Sequence, residues 1–384
     1  MTKTLIVLLG IVSIAGSSLP FYPFASEALW PVRMVARELW PFLLAVNALG
    51  LLLTLRRGRR RLVAPLFAVG LLGALWPFLQ VGGVTRRFAQ QWTEQGYVPA
   101  ALPDVGIAAV FANAYGGYAA FDVPPEVLPM NIHLFRAGAP AGQSARPILV
   151  HIHGGSWQHG SARAEARFAS YFANRGWAVF SLEYRLAPQW RYPAQIDDVR
   201  AELAWIREHA AEYGADAERI ALSGQSAGGH LAMLAAYAPD AVPVRAVVSL
   251  YGPADLAAAY RDPPEPDPLD VRRKLETFLG GTPAELPNVY RDAAPIHLLR
   301  SGLPPTLLIH GSADHITLPS LARELHRRLL AVGNHALLLE LPWSDHSFDF
   351  VYFGPGSALA LAYMESFLDE TTRRSPSTTA ARAR

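Results

Sequence analysis

Three residues of this chain are suited by type and order to covalent chemistry. Ser226 sits in Gly224–Gln225–Ser226–Ala227–Gly228, which has the form G-x-S-x-G. An apolar run, RIALS, precedes it, and a helix-forming stretch, AGGHLAMLAAY, follows it. A sharp turn between a strand and a helix presents a serine at a sheet's edge, and glycines keep that turn free of clashes. A serine hydroxyl is a poor nucleophile at neutral pH, so it needs a base in hydrogen-bond reach and an acid to orient that base. With this turn, the acid and then the histidine follow later in the chain. Asp314 lies in the loop GSADH after the apolar run TLLIH, and His346 lies in SDHSFDF after ALLLELPW. Both loops close a strand, so both side chains reach the same edge as Ser226. His310 and His315 are too close to Asp314 in sequence to take the base position. Asp345 and Asp349 flank His346 and come too late for the acid. His230, on the helix after Ser226, is expected to be a packed core residue.

Attack by serine on a carbonyl leaves a negative oxygen, which backbone N–H groups can hold, each worth about 10²–10³ in rate. His153–Gly154–Gly155–Ser156–Trp157 ends the run PILVHIH, and its glycines let the backbone approach a substrate. Gly154, Gly155 and Ser156 are the candidate anion-binding turn, with Ala227 as the residue after the nucleophile. His153 is expected to support this loop and His151 to pack against the sheet. Trp157, Trp190 and Tyr192 are candidate substrate-pocket residues, with packing as the alternative for each.

Strands are expected at 130–135, 147–153, 177–184, 219–223, 244–250, 306–310 and 336–341, and helices at 161–174, 195–213, after Ser226, at 321–331 and at 358–368. Such alternation implies an α/β fold: a mostly parallel sheet covered by helices on both faces, with its site at the strands' carboxyl ends. Residues 252–304 break the alternation and form either a lid or a long connection. Residues 371–384 carry no apolar periodicity and read as a disordered tail.

The first hundred residues differ. Over the whole chain 51% of residues are hydrophobic and 17% charged, against about 25% charged in soluble domains. Segments 4–24, 36–55 and 62–82 are apolar enough to suggest about three transmembrane helices, the first alternatively a signal peptide. The loop RRGRRR, 56–61, should face the cytoplasm. That puts a catalytic domain at 125–370 on the extracytoplasmic side, after a linker over 86–124. The preference for Arg over Lys, only Lys3 and Lys274 being present, fits a GC-rich bacterial genome. The absence of cysteine excludes thiol chemistry and disulfides, and a net charge of +2 gives no reason to expect a nucleic-acid partner.

HGGSW, EYRLAP at 183–188, GQSAGGHLA and the late Asp and His together resemble the hormone-sensitive-lipase-like and bacterial feruloyl-esterase-like carboxylesterases of the α/β-hydrolase superfamily. GQSAG behind a membrane-embedded N-terminus is also similar to prenylcysteine methylesterases. The resemblance covers about 125–370. It departs at Ser156, where the lipase-like branch has a third glycine, and at Gln225, where Asp or His is common. It implies a serine esterase with neither metal nor cofactor, oxyanion donors at Gly155, Ser156 and Ala227, and a small-molecule or lipid ester as substrate. An amidase or peptidase, an envelope acyltransferase, and a non-catalytic membrane-tethered binding domain are the rival readings.

Overall fold

The computed structural model describes residues 30–56, 64–99, 102, 122–138, 145–352 and 354–373. The apolar segment 4–24, most of the arginine loop and residues 374–384 lie outside them.

Among the described residues, the N-terminal part holds three helices, α1 (Trp30–Glu38), α2 (Trp40–Arg56) and α3 (Ala64–Glu94). The second apolar segment does not continue back through Met34 and Val35 as one rod. The chain bends by 67° between α1 and α2. Pro41 lacks the N–H that would bond one turn back, so a new helix starts there. The third helix also exceeds expectation, running to Glu94 through what reads as a linker. Helices α2 and α3 form an antiparallel hairpin. Asn47, the polar residue of α2, is fully buried in it, donating to the Leu43 carbonyl at 2.7 Å. It faces Gly70, where any Cβ would lie 2.1 Å from its Oδ1. Outward, Phe42, Val46, Leu49 and Leu52 on α2 and Val69, Leu72, Trp76 and Leu79 on α3 are exposed. One described helix, α3, is long and apolar enough to cross a membrane, or two if bent α1–α2 is taken as one span.

The rest is built on one eight-stranded sheet. Its strands are β1 (Glu126–Val127), β2 (His133–Phe135), β3 (Arg146–Ile152), β4 (Ala178–Leu182), β5 (Ala215–Gln225), β6 (Ala246–Leu250), β7 (Thr306–Gly311) and β8 (Ala336–Leu341). They lie in the order β1-β2-β4-β3-β5-β6-β7-β8. The pairings β1–β2 and β2–β4 are antiparallel and the others parallel. The central strands are buried along their length, as apolar runs covered on both faces must be. On one face pack α5 (Ala194–His209), α6 (Ala227–Tyr237) and parts of the 252–304 segment. On the other pack α4 (Ala166–Ala173), the terminal helix α11 (Pro355–Arg373) and the lower half of α3. Val81, Val84, Phe88 and Trp92 of α3 are therefore core residues of the sheet domain, the last two worth about 1.5–3 kcal/mol each in buried apolar surface. Gln91 of α3 pairs with the edge strand, donating to the Leu338 carbonyl at 3.0 Å and accepting its N–H at 2.9 Å. Helix α10 (Pro319–Ala331) joins β7 to β8.

Residues 252–304 carry three short helices, α7 (Leu256–Arg261), α8 (Val271–Leu279) and α9 (Pro287–Asp292). Asp255 and Asp270 cap the first two by accepting N–H groups of Ala258 and Arg273, and Gly280 ends α8 at φ 102°. The terminal helix runs on through Thr371 to Arg373, so the expected tail does not begin at 371. Thr371 and Thr372 turn their hydroxyls back to carbonyls of the preceding turn.

Candidate active site

Strand β5 ends at Gln225 and α6 begins at Ala227, leaving Ser226 alone on the turn. Its φ is 51° and its ψ −119°, a conformation costly for any residue with a Cβ. The turn is over-determined by its surroundings. The Ser226 N–H donates to the Leu250 carbonyl at 2.9 Å. Helix α6 approaches β3 so closely that a Cβ on Gly228 would lie 2.0 Å from the Ile152 oxygen. One on Gly224 would lie 2.3 Å from Gly228.

Strands β7 and β8 are the next two parallel neighbours beyond β6, so their loops open on the same edge. His346 Nε2 lies 3.0 Å from Ser226 Oγ, and His346 Nδ1 lies 2.8 Å from Asp314 Oδ2. Asp314 is buried. Its Oδ1 accepts the N–H groups of Ile316 at 2.8 Å and Thr317 at 2.9 Å. His310 Nε2 approaches its Oδ2 at 3.1 Å while also 2.8 Å from the Thr317 carbonyl. Burial alone would raise the Asp314 pKa. The neighbouring imidazole His346 and hydrogen bonds from His310 and His346 outweigh burial and hold it well below the usual carboxylate range.

The turn after β3 lies beside the serine. Gly154 is pressed against Ser226, since a Cβ there would be 3.0 Å from the Gln225 oxygen and 3.4 Å from Ser226 Cβ. Gly155 has φ 116°, and Ser156 and Trp157 also have positive φ. Successive backbone N–H groups in a tight turn can converge on an anion-binding concavity. Among the described residues, the Gly155 and Ser156 N–H groups donate no hydrogen bond. The loop is held from behind. His153 stacks on Tyr184 at 4.2 Å, and the Tyr184 hydroxyl donates to the His153 carbonyl at 3.1 Å. Burial lowers the His153 pKa to about 4. His151 stacks on Phe168, bonds Ser223 Oγ at 2.9 Å, and is lowered by burial to about 3.

Trp157 is buried, lies flat against Phe278 at 4.2 Å and donates Nε1–H to His230 Nδ1 at 3.2 Å. His230 is a packed core residue, its Nε2 2.6 Å from the Ala293 carbonyl and its pKa lowered by burial to about 4. A narrow cavity of about 40 Å³ opens beside Ser226, walled by Trp157, Leu256, Leu269, Leu275, Ile316 and Thr317 among others. Trp157 thus both packs and lines it. The other two aromatics do not. Trp190 is 44% exposed, with the Arg185 guanidinium 5.1 Å above its ring. Tyr192 turns edge-on to Phe278 and donates to the Asp292 carbonyl at 3.0 Å. Neither is among the residues that line the cavity. Helices α7 and α8 supply the cavity's far wall, so the 252–304 segment covers the site.

Several side chains set aside in the sequence reading turn out to hold His346. Asp349 accepts hydrogen bonds from Gln225 Nε2 and from the Tyr251 hydroxyl, and the Tyr251 ring lies 4.5 Å from the His346 ring. Gln225, unusual at its place in the turn, is thereby accounted for. Asp345 accepts the His346 N–H and His315 Nδ1, both at 2.8 Å. Glu165 lies buried near Asp349, and burial first, then the charge of Asp349, raises its pKa to about 8. The spacing HGSADH, with His310 four residues before Asp314, carried a signal for the second imidazole. Nothing local announced Gln225 or Tyr251, which reach the loop only through the fold.

The mostly parallel sheet and the serine, histidine and carboxylate at one edge of it define the class: this is an α/β-hydrolase fold. Residues 137–329, half of the chain, match the BD-FAE family, and the chain belongs to that family. The esterase LipC of Mycobacterium tuberculosis (strain ATCC 25618 / H37Rv) is 37% identical over 223 residues, covering 53% of this chain and 53% of LipC. The chain spans about half the length of curated relatives such as this one. Among solved structures, a Thermogutta terrifontis esterase, Est2, with butyrate bound is 25% identical with a TM-score of 0.53, covering 66% of this chain and 96% of that one. Carboxyl esterase 2 of Tuber melanosporum has a TM-score of 0.57 at 21% identity, over 67% of this chain and 90% of that one, a likeness of fold.

Proposed function

We propose that the protein is a membrane-anchored serine carboxylesterase that cleaves carboxylic esters through an acyl-enzyme on Ser226. The observation that carries this reading is the unbroken chain Asp314–His346–Ser226, with links of 2.8 and 3.0 Å, on a strained serine turn facing undonated N–H groups. Esterase names among the relatives support it.

His346 Nε2 takes the Ser226 proton as Oγ bonds to the ester carbonyl carbon. The carbonyl oxygen becomes an oxyanion beside the N–H groups of Gly155, Ser156 and Ala227, with Gly154 shaping the turn. Collapse breaks the carbon–alkoxide bond, and His346 returns the proton to the departing alcohol. Water then repeats the sequence on the acyl-enzyme, releasing the acid and restoring Ser226. Asp314 holds the imidazole in the tautomer with Nδ1–H and stabilises its charged form. Every step is served by groups of this chain.

The narrowness of the cavity favours a short acyl group, and a relative that holds butyrate supports the same size. The outward apolar band on α2 and α3 supports a membrane hairpin, since soluble surfaces rarely carry so continuous a patch. Segment 4–24 would be a third span, and the arginine loop at 56–61 sets the hydrolase domain on the extracytoplasmic side.

Hydrolysis of p-nitrophenyl esters from acetyl to dodecanoyl by the full-length protein in detergent, beside Ser226→Ala, tests the chemistry. Turnover should peak at short chains and fall by about 10⁴–10⁶ in the variant. Turnover that survives Ser226→Ala would remove the serine from its role. Protease digestion of the hydrolase domain in intact spheroplasts tests the topology, and protection there would reverse it.

A further inference from the structure

Helix α1 lies against the loop that carries His346. It is amphipathic: Val32 and Val35 are exposed, whereas Met34, Ala36, Arg37 and Glu38 are buried. Its polar side chains reach residues 343–356 and the Asp314 loop. Arg33 Nη1 is 3.1 Å from His315 Nδ1, and Arg33 Nε is 3.5 Å from Asp345 Oδ2. Arg37 Nη1 donates to the Trp343 carbonyl at 3.2 Å, and its Nε is 3.9 Å from Asp345 Oδ2. Glu38 accepts the Ser344 hydroxyl at 2.6 Å and the Gly356 N–H at 2.8 Å, so one carboxylate ties the two ends of the segment around His346. Gly354 and Gly356 leave the space it fills, since a Cβ at either would meet it at 2.7 Å. The Trp30 ring stands edge-on to His346 at 6.4 Å and to His315 at 6.3 Å.

The reason for this contact lies in Asp345. Its side chain is fully buried. Oδ1 holds the His346 N–H, but Oδ2 accepts no hydrogen bond among the described residues and lies 3.5 and 3.9 Å from the two guanidinium groups. A buried carboxylate without compensating charge either takes a proton or drags its loop toward water. Here the compensation arrives from a helix some 300 residues earlier, outside the stretch that matches the family.

We propose that α1 is an intramolecular part of the active site, in which Arg33 and Arg37 act through Asp345, and Glu38 through Ser344 and Gly356, as positioning residues for His346. The inference rests on His346 being the base. The apolar anchor therefore does more than tether the hydrolase domain. Helix α1 completes the catalytic edge, and its Trp30 ring stands beside the histidine.

The test uses full-length protein in detergent and p-nitrophenyl butyrate. Arg33→Gln with Arg37→Gln should lower kcat by about tenfold or more, with KM changed by less than about twofold. Arg33→Lys with Arg37→Lys should recover part of the loss. Adding Asp345→Asn to the double Gln variant should recover most of it, because the uncompensated charge is gone while the acceptor for the His346 N–H remains. A helix that mattered only for folding would show a lower unfolding temperature and no such recovery. A kcat for the double Gln variant within about twofold of wild type, with Ser226→Ala inactive, would overturn the proposal and leave the serine reading standing. If the double variant does not fold, the triple variant decides: folded and active supports the charge argument, folded and slow overturns it. Wild-type turnover independent of Ser226 would overturn both readings at once.

Discussion

The loops after β7 and β8 deliver neighbouring members of one constellation, yet they are held in opposite ways. The first holds its acid from within its own stretch of chain. Its carboxylate is gripped by the backbone N–H groups two and three residues onward and by His310 four residues back. The His346 loop borrows nearly all its support. Gln225 and Tyr251 reach it from the strand ends beside it, and Arg33, Arg37 and Glu38 from the N-terminal helix. In the proposed mechanism the acid needs only to stay still and ionised. The proposed base must pass a proton between serine, alcohol and water, and its ring is set by groups on several sides. Backbone donors cannot be deleted by exchanging a side chain, whereas side-chain donors can, so the two loops should differ in their tolerance of substitution.

Four substitutions would break or sharpen that contrast. The largest effect is expected at Asp314→Asn, which keeps the shape but lets the imidazole take the wrong tautomer; kcat should fall by about 10⁴ while the unfolding temperature changes little. A loss below about tenfold would mean that His310 or another group orients the base. Next is Tyr251→Phe, which takes one donor from buried Asp349. Leaving that oxygen unsatisfied costs about 1–3 kcal/mol, and kcat should drop by about tenfold if the strain is relieved by moving the histidine loop. An unchanged kcat would make Gln225 sufficient on that side. Thr317→Ser, in the acid loop, should leave kcat within about twofold, because its contribution to Asp314 is a backbone N–H. A large loss there would end the claim that this loop is held by its own backbone.

The smallest effect concerns stability. Glu165 is buried with its pKa raised to about 8, against an ordinary value near 4.5. The folded state therefore holds this proton more tightly than the unfolded chain does. Its stability should fall as pH rises from about 4.5 to about 8, the window in which the unfolded carboxyl has lost its proton and the folded one is losing it. Glu165→Gln should remove that slope. Its unfolding temperature should exceed that of the wild type by more at pH 8.5 than at pH 5. An equal difference at both values would show that Glu165 does not titrate with folding.

The acid loop was the more legible of the two in the sequence. TLLIHGSADH announces a strand, a turn and a carboxylate in one stretch, and G-x-S-x-G between RIALS and AGGHLA does the same for the serine. Periodicity also placed most strands within a few residues of where they lie, and 336–341 coincides with β8. What local pattern could not carry were contacts made through the fold. Asp345 and Asp349 look alike beside His346, and only tertiary structure gives one to arginines and the other to Gln225 and Tyr251. The N-terminal helices misled for a related reason. Arg37 and Glu38 look like charges at the end of an apolar span, but Pro41 starts a new helix and frees α1 to turn onto the hydrolase domain. Likewise α3 keeps its helical period past the apolar band, since the residues it needs there, Phe88, Gln91 and Trp92, are chosen for the sheet. Trp190 and Tyr192 are candidate pocket residues by type, but the cavity beside Ser226 is lined by other side chains.

The pairing of Gln91 with Leu338 has a consequence for how the molecule is made. Strand β8 comes last in chain order among the described strands, and an uncovered strand edge is the part of a nascent sheet most prone to join another chain. The residue that occupies that edge was synthesised some 250 positions earlier. The cover therefore exists before the edge does, and β8 can join the sheet without a period in which it invites a stranger.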